Sequence, residues 1–280
     1  MFELLKKLSF LGVGVAGPIE NVASNLTPIA HSNYDVLKAN CDFIEYYTES
    51  AFTTLSKLSC PWVRDWPLLA HSAFLNLGSS EGLKEELLVL FEDIVQELPP
   101  LWVGEDLGTN YLHGQIFPDI IPPIYMRAGV PVIADRVRIM QSRSGIPILI
   151  ENTYNYNHYG DMEEWDFHNS IAQEADCGLV LDLGHTWISA SARGLKPVEY
   201  IKSLDLKRVV EVHIASIRAD KKRVGMYYDD HSIPIADCLL EGLQIVLSKE
   251  NSIKALTVEL SNAPLDILIE QVQRVRQVIR

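Results

Sequence analysis

Eight short apolar runs recur along the chain, separated by longer amphipathic or polar stretches. They are Leu11–Ala16, Asp42–Tyr47, Leu68–Phe74, Leu101–Asp106, Ile146–Asn152, Cys177–His185, Val209–Ala215 and Ala255–Leu260. Continuous apolar runs rich in β-branched residues suit parallel strands buried on both faces. Helical patterns lie between them. Leu83, Leu87, Leu90, Ile94 and Leu98 fall at helical spacing, with Ser79 or Ser80 placed to cap that helix and Pro99-Pro100 to stop it. Near the C-terminus Leu268, Val272, Val275 and Ile279 form one stripe behind Pro264, where a helix begins. Strands alternating with helices over 280 residues predict an α/β fold, a single (β/α)8 TIM barrel covering residues 1–280. A doubly wound open sheet is the rival. Residues 108–125 form a long, Pro-rich insertion after the fourth run, and long ordered loops in compact domains are often functional.

Composition narrows the function. Lys and Arg total 24 against 37 Asp and Glu, a net charge of −13, which argues against a protein built to grip nucleic-acid phosphates. Cys41, Cys60, Cys177 and Cys238 are far apart, with no C-x-x-C pair, and read as buried or free thiols in a reducing compartment. The N-terminus has the wrong order for a signal peptide, and no apolar run reaches the ~20 residues of a membrane helix. The expectation is a cytoplasmic protein with neither nucleic acid nor membrane as partner. Gly12, Gly14 and Gly17 give a G-x-G-x-x-G spacing, a weak match to a dinucleotide fingerprint because Pro18 and Asn21 follow rather than an obvious helix.

In a parallel barrel the active site lies at the C-terminal ends of the strands. Those ends carry His71, then Glu105 and Asp106, then Glu151, then Asp182 and His185, then Glu211 and His213, and finally Glu259, with Asp229, Asp230 and His231 following the seventh run. Each has a bland explanation. A single histidine is more often hydrogen-bonded in a core than bound to a metal, Asp229 and Asp230 read equally as a solvated pair, and Glu45 and Glu211 as salt-bridge partners. The joint pattern changes the balance. So many carboxylates and imidazoles on one rim repel without cations, so a multinuclear metal site is expected.

In order, the segments GVGV, DFIEYY, AHSAFLNLG, WVGEDL, FPDIIPPIY, ILIENTYNY, LVLDLGHTWISA, VVEVHIA, DDHSIPI and TVELSNAP resemble the multinuclear non-haem iron-dependent oxidases, the family that includes the oxidase of methanobactin biosynthesis. The resemblance covers nearly the whole chain. It implies a TIM barrel of xylose-isomerase-like type holding two or three irons and using dioxygen to oxidise residues, commonly Cys, in ribosomally made peptides. It implies metal ligands at His71, Asp106, Glu151, Asp182, His185, His213, Asp229, His231 and Glu259, with Glu151, Asp182 and His213 nearest the chemistry. Asn152 and Glu211 would orient ligands, and Tyr154, Tyr156 and the 108–125 insertion would shape a substrate channel, although packing explains each tyrosine equally well. One departure stands out: Asp106 occupies the place where the resemblance implies histidine, which leaves a specialised branch or an inactive, peptide-binding barrel open. The D-x-x-H and D-x-H pair also resembles the endonuclease-IV and xylose-isomerase class, which implies zinc, manganese or magnesium and an isomerase, epimerase or hydrolase. Substrates are expected to be a peptide or a small amino-acid-like molecule; the resemblance implies that a separate protein presents it, and no leader-binding appendage is legible after the last helix.

Overall fold

A computed structural model of the chain describes residues 1–17, 33–49 and 61–279. In chain order the elements are α1 (Phe2–Lys6), β1 (Gly12–Gly17), α2 (Tyr34–Asn40), β2 (Ile44–Tyr47), β3 (Leu68–Ser72), α3 (Glu85–Glu97), β4 (Val103–Asp106), β5 (Thr109–Leu112) and β6 (Gln115–Ile121). There follow α4 (Val130–Ser144), β7 (Ile148–Glu151), α5 (Glu164–Ala175), β8 (Gly178–Asp182), α6 (Leu183–Ala192), α7 (Pro197–Ser203) and β9 (Val209–Ile214). The last are β10 (Ile217–Ala219), β11 (Tyr227–Asp229), α8 (Asp237–Leu247), β12 (Ala255–Val258) and α9 (Leu265–Val278).

Strands β1, β2, β3, β4, β7, β8, β9 and β12 close into one barrel, each parallel to its neighbours, with β1 pairing both β12 and β2. That closure excludes the open sheet and bears out the eight-strand reading. Two antiparallel hairpins, β5–β6 and β10–β11, are inserted after β4 and β9. The first occupies the 108–125 stretch, so this insertion is largely a β-hairpin. Asn76 anchors it: Nδ2 donates to the Tyr111 carbonyl and Oδ1 accepts from the Asn110 amide.

The largest core lies between the barrel and its helices. A second apolar cluster fills the N-terminal end of the barrel. There Phe2 and Leu5 of α1 meet Phe43, Leu69, Trp102, Leu149, Val180, Val210 and Ala255, which lie at or near the strand starts. Each large aliphatic side chain buried this way contributes about 1.5–3 kcal/mol. The glycine spacing in β1 has a packing origin. Gly12 sits at φ 116°, and a Cβ there would lie 2.1 Å from Asp42 Oδ2; one at Gly14 would meet the Phe43 ring at 2.5 Å. Gly12 and Gly14 let β1 approach residues 42–43.

Three local expectations need correction. The helix predicted from Ser80 begins at Glu85, with Lys84 at the N-cap position. Ser79 Oγ accepts instead from the Glu81 amide, closing a turn. The buried side of α3 is therefore Leu88, Phe91, Ile94 and Val95, with Leu87 and Leu90 only partly buried. In α9 the stripe is Leu268, Val272 and Val275, while Ile279 lies beyond the helix and is exposed. The sixth run is not all strand: β8 stops at Asp182, and His185 sits in the first turn of α6. Cys41, Cys177 and Cys238 are free thiols, as expected, and Cys60 lies outside the described residues. Burial pushes Cys41 and Cys177 up to about 12, which makes them inert at neutral pH. No helix among the described residues is long and apolar enough to cross a membrane.

Candidate metal centre

The C-terminal ends of the strands converge on a cavity of about 280 Å³ lined by His71, Asp106, Glu151, His185, Asp229, His231 and Glu259, together with Thr153, Tyr154 and residues of the β5–β6 hairpin. Parallel register explains the convergence, for it sets His71 beside Gly104, Asp106 beside Glu151, and Asp182 beside His213. Glu259 follows β12 by one residue, and its amide still bonds the Ile214 carbonyl.

Glu151 is the hub. Its Oε2 lies 3.5 Å from His71 Nδ1 and 3.2 Å from His213 Nδ1, and its Oε1 lies 3.6 Å from His185 Nδ1. His71 Nε2 faces Asp106 Oδ2 at 3.3 Å. His213 Nδ1 is 3.4 Å from Glu259 Oε2. Asp229 Oδ2 lies 2.6 Å from His231 Nε2 and 3.8 Å from His185 Nε2. The D-x-x-H segment is a strand–helix junction: Asp182 caps α6 by accepting the His185 amide on Oδ1, leaving Oδ2 without a partner among the described residues. Asn152 holds this junction. Its Oδ1 accepts from the Asp182 amide, its Nδ2 donates to Thr186 Oγ1, and its carbonyl accepts from His185 Nδ1 at 2.8 Å. Glu211 lies deeper, accepting from Trp102 Nε1 at 2.7 Å and from Thr257 Oγ1.

The electrostatics are those of a site short of positive charge. Burial, joined by the Glu151, Asp229 and Glu259 carboxylates, pushes Asp182 up to about 7. Burial alone would lower His231, but Glu259 and Asp229 raise it to about 9. His71, His185 and His213 are raised well above their usual range, the surrounding carboxylates overcoming burial. Asp229, although buried, is held down at about 2 by the nearby His185 and His231 imidazoles, of which His231 is within hydrogen-bond distance.

Several buried polar atoms have no hydrogen-bond partner among the described residues: both oxygens of Glu45, Nδ1 of His71, Oε2 of Glu151, Oδ2 of Asp182, both nitrogens of His213 and Oδ1 of Asp229. Each such atom costs roughly 1–3 kcal/mol when left unmet. Compatible donor atoms gather as His71–Asp106–Glu151, Glu151–Asp182–His185, Asp182–His213–Glu259 and Glu45–His71–His213. Imidazole nitrogen and carboxylate oxygen suit iron, manganese, zinc or magnesium, so these residues fit a divalent-metal centre.

The structure thus brings His71, Asp106, Glu151, Asp182, His185, His213, Asp229, His231 and Glu259 to one place. Asp230 parts from Asp229 and pairs with Arg218, so the two are not a solvated acidic pair. Glu45 and Glu211 meet imidazole, indole and hydroxyl groups, with no Lys or Arg partner among the described residues. Tyr154 lines the cavity with its ring centroid 5.2 Å from that of His185, whereas Tyr156 donates to the Tyr227 carbonyl and ties its loop to β11. Sequence reasoning missed Tyr47, whose hydroxyl donates to Glu259 Oε1 at 2.7 Å, and undervalued Glu45. Both alternate with Ile44 and Tyr46 along β2, and that period of two is the signal that they face inward.

Among solved structures, a xylose isomerase domain containing protein from Salmonella typhimurium superposes with a TM-score of 0.62 at 11% identity, covering 98% of this chain and 100% of that one. D-psicose 3-epimerase gives 0.58 at 14% identity over 95% and 97% of the two chains. IOLI protein with a binding zinc atom gives 0.59 at 14% identity over 96% of each. At these identities the likeness shows the fold, a xylose-isomerase-like barrel. Among sequences, the chain is 29% identical to a UPF0276 protein of Anaeromyxobacter sp. over 62% of each, and 27% identical to one of Psychromonas ingrahamii over 87% of this chain and 89% of that one. The match spans 62% and 61% of the lengths of the Anaeromyxobacter and Acaryochloris marina relatives. The family model for the RiPP precursor modification enzymes MbnB/TglH/ChrH, which act on ribosomally made peptides, matches residues 27–280. The resemblance read from the motifs is borne out, and the chain belongs to the MbnB/TglH/ChrH family.

Proposed function

We propose that this protein is a multinuclear iron-dependent oxidase that uses dioxygen to modify a residue, commonly cysteine, of a ribosomally made peptide in natural-product biosynthesis. The observation that supports this most is the set of buried, unpartnered carboxylate and imidazole atoms around one cavity in a chain of a peptide-modifying family. Iron, when bound, supplies one-electron chemistry with dioxygen that no side chain here can perform. His71, Asp106, Glu151, Asp182, His185, His213, Asp229, His231 and Glu259 would hold it. Asp106 keeps its oxygen beside His71, so a carboxylate there serves as a donor as the expected histidine would. That argues against the inactive-barrel reading.

The rest of the work belongs to the chain. Asn152 fixes the His185 ring through its carbonyl, and Tyr47 holds one oxygen of Glu259. Beside the cavity runs a groove of about 400 Å³ between the end of β6 and the 154–159 loop, sharing Asp119, Ile120 and Tyr154 with it. Ile121, Ile124 and Tyr159 are exposed along it. In this reading the groove receives peptide residues flanking the modified one, and a separate protein presents the peptide. The compartment is reducing, in keeping with the free thiols.

The test loads the chain with ferrous iron and adds a cysteine-containing peptide encoded beside its gene. Oxygen uptake that needs the peptide, with a mass change on one of its residues, is expected. The barrel shared with D-psicose 3-epimerase supplies the competing reading, a redox-silent isomerase, epimerase or hydrolase. Full turnover of a sugar-like substrate with zinc, manganese or magnesium in the absence of oxygen would establish that reading instead.

A further inference from the structure

The two nitrogens of His213 face different surroundings. Nδ1 lies on the cavity side, 3.2 Å from Glu151 Oε2 and 3.4 Å from Glu259 Oε2. Nε2 lies 3.0 Å from Glu45 Oε2 and 3.6 Å from Glu211 Oε1, toward the barrel floor. Of these two floor carboxylates, Glu211 is already engaged by Trp102 and Thr257. Glu45 is fully buried, and neither of its oxygens has a hydrogen-bond donor among the described residues. Its other oxygen, Oε1, lies 3.7 Å from His71 Nδ1, and the ring centroids of His71 and His213 are 5.2 Å apart.

An imidazole that binds a metal does so through one bare nitrogen and donates its other N–H to an acceptor, which fixes tautomer and ring orientation. His185 already shows this device, with Nδ1 given to the Asn152 carbonyl and Nε2 turned toward Asp229. His71 and His213 need an equivalent acceptor, and Glu45 stands beneath both. We propose that Glu45 is the shared positioning residue of the metal centre, accepting Nε2–H of His213 on one oxygen and Nδ1–H of His71 on the other. His213 then presents Nδ1, and His71 presents Nε2 beside Asp106. The 3.0 Å contact at His213 is short enough for a hydrogen bond but not aligned as one, and the 3.7 Å separation at His71, where Glu151 Oε2 lies at 3.5 Å, closes only if the side chains shift; the broad χ2 well of histidine allows each ring to turn toward Glu45. One carboxylate thereby links the donor groups His71–Asp106–Glu151 and Asp182–His213–Glu259.

This inference rests on the metal-centre reading, and zinc, being diamagnetic, is the probe. Long-range proton–nitrogen spectra of the zinc-loaded chain labelled with ¹⁵N-histidine report the tautomer of each ring. The expected result is metal on Nδ1 and a proton on Nε2 at His213, with a proton on Nδ1 at His71. Glu45→Ala is expected to weaken zinc binding about 10- to 100-fold at two donor groups together. Glu45→Gln keeps one acceptor oxygen and is expected to restore one of the two. His213 bound through Nε2 would overturn the inference. So would Glu45→Ala binding zinc as tightly as the natural chain, or losing one equivalent outright while the others bind unchanged, which would make Glu45 a ligand. If neither variant folds, the spectra of the natural chain decide. Failure of the natural chain to take up zinc at all would overturn the metal reading, and this inference with it.

Discussion

At the N-terminal end of the barrel, Phe2 and Leu5 of α1 join Leu69, Trp102, Leu149, Val180 and Val210 in one apolar cluster. At the C-terminal end, a few residues further along the same strands, His71, Glu151, Asp182 and His213 point buried polar atoms at one another without completing their hydrogen bonds. The floor needs nothing from outside, since apolar burial stabilises it outright. The rim costs the fold free energy for every unmet atom, and bound cations would recover it. On the proposed function, the two ends therefore separate stability from function along each strand. Glu45 and Glu211 lie at the boundary, with Glu211 satisfied from the floor by Trp102 and Glu45 turned up toward the rim.

Substitutions at the two ends break this contrast in opposite directions. The largest effect is expected from Glu151→Ala, because Glu151 faces three imidazoles. It should weaken metal binding by at least ~100-fold and remove at least one equivalent, while the metal-free chain unfolds no more readily than the natural one. Metal analysis with thermal unfolding in chelator checks it. Unchanged metal content would place the centre elsewhere. At the floor, Leu149→Ala should cost about 2–5 kcal/mol by leaving a cavity, yet keep the metal content. Urea unfolding measures the loss, and a fall in stoichiometry of the folded variant would show that the two ends are not separable.

A smaller effect is expected from pH. In the metal-free chain burial raises Glu105 to about 8 and Glu164 and Asp182 to about 7, while Glu259 and Asp229 bring His231 to about 9 against burial. Unfolded carboxylates titrate near 4 and histidine near 6.5. A group raised in the folded state stabilises fully below its unfolded value and loses that contribution as pH rises through its folded value. Metal-free stability should therefore fall from about pH 5 to about pH 9. Lowered groups such as Asp229, Glu211 and Glu259 oppose this only below about pH 4, as acid protonates them. With metal bound the trend should flatten or reverse, because binding displaces protons. Unfolding at pH 5, 7 and 9, with chelator and with metal, measures both curves. Stability that rises with pH in chelator would contradict the account.

Much of this was legible in the residues. The eight apolar runs mark the barrel strands, because parallel strands are buried on both faces and need no alternation. The ligand types show at the ends of those runs, because the ends are where a barrel keeps its polar side chains. What the sequence hid lies inside the runs or depends on register. Glu45 and Tyr47 sit within an apolar strand, where an inward carboxylate reads as a structural salt bridge until its neighbours are known. Ser79 has the composition of a helix cap, but its hydroxyl closes a turn before α3 begins. The segment from Asp182 to His185 looked like one strand, since nothing in Leu183 or Gly184 announces that the helix starts there. The 108–125 hairpin was obscured by its prolines.

The central claim is that the rim is a multinuclear metal centre. It is tested most directly by loading the purified chain with ferrous iron under anaerobic conditions, removing unbound metal and measuring iron per chain. Donor groups that share Glu151 and Asp182 predict more than one equivalent. Iron well below one equivalent per chain would contradict the account.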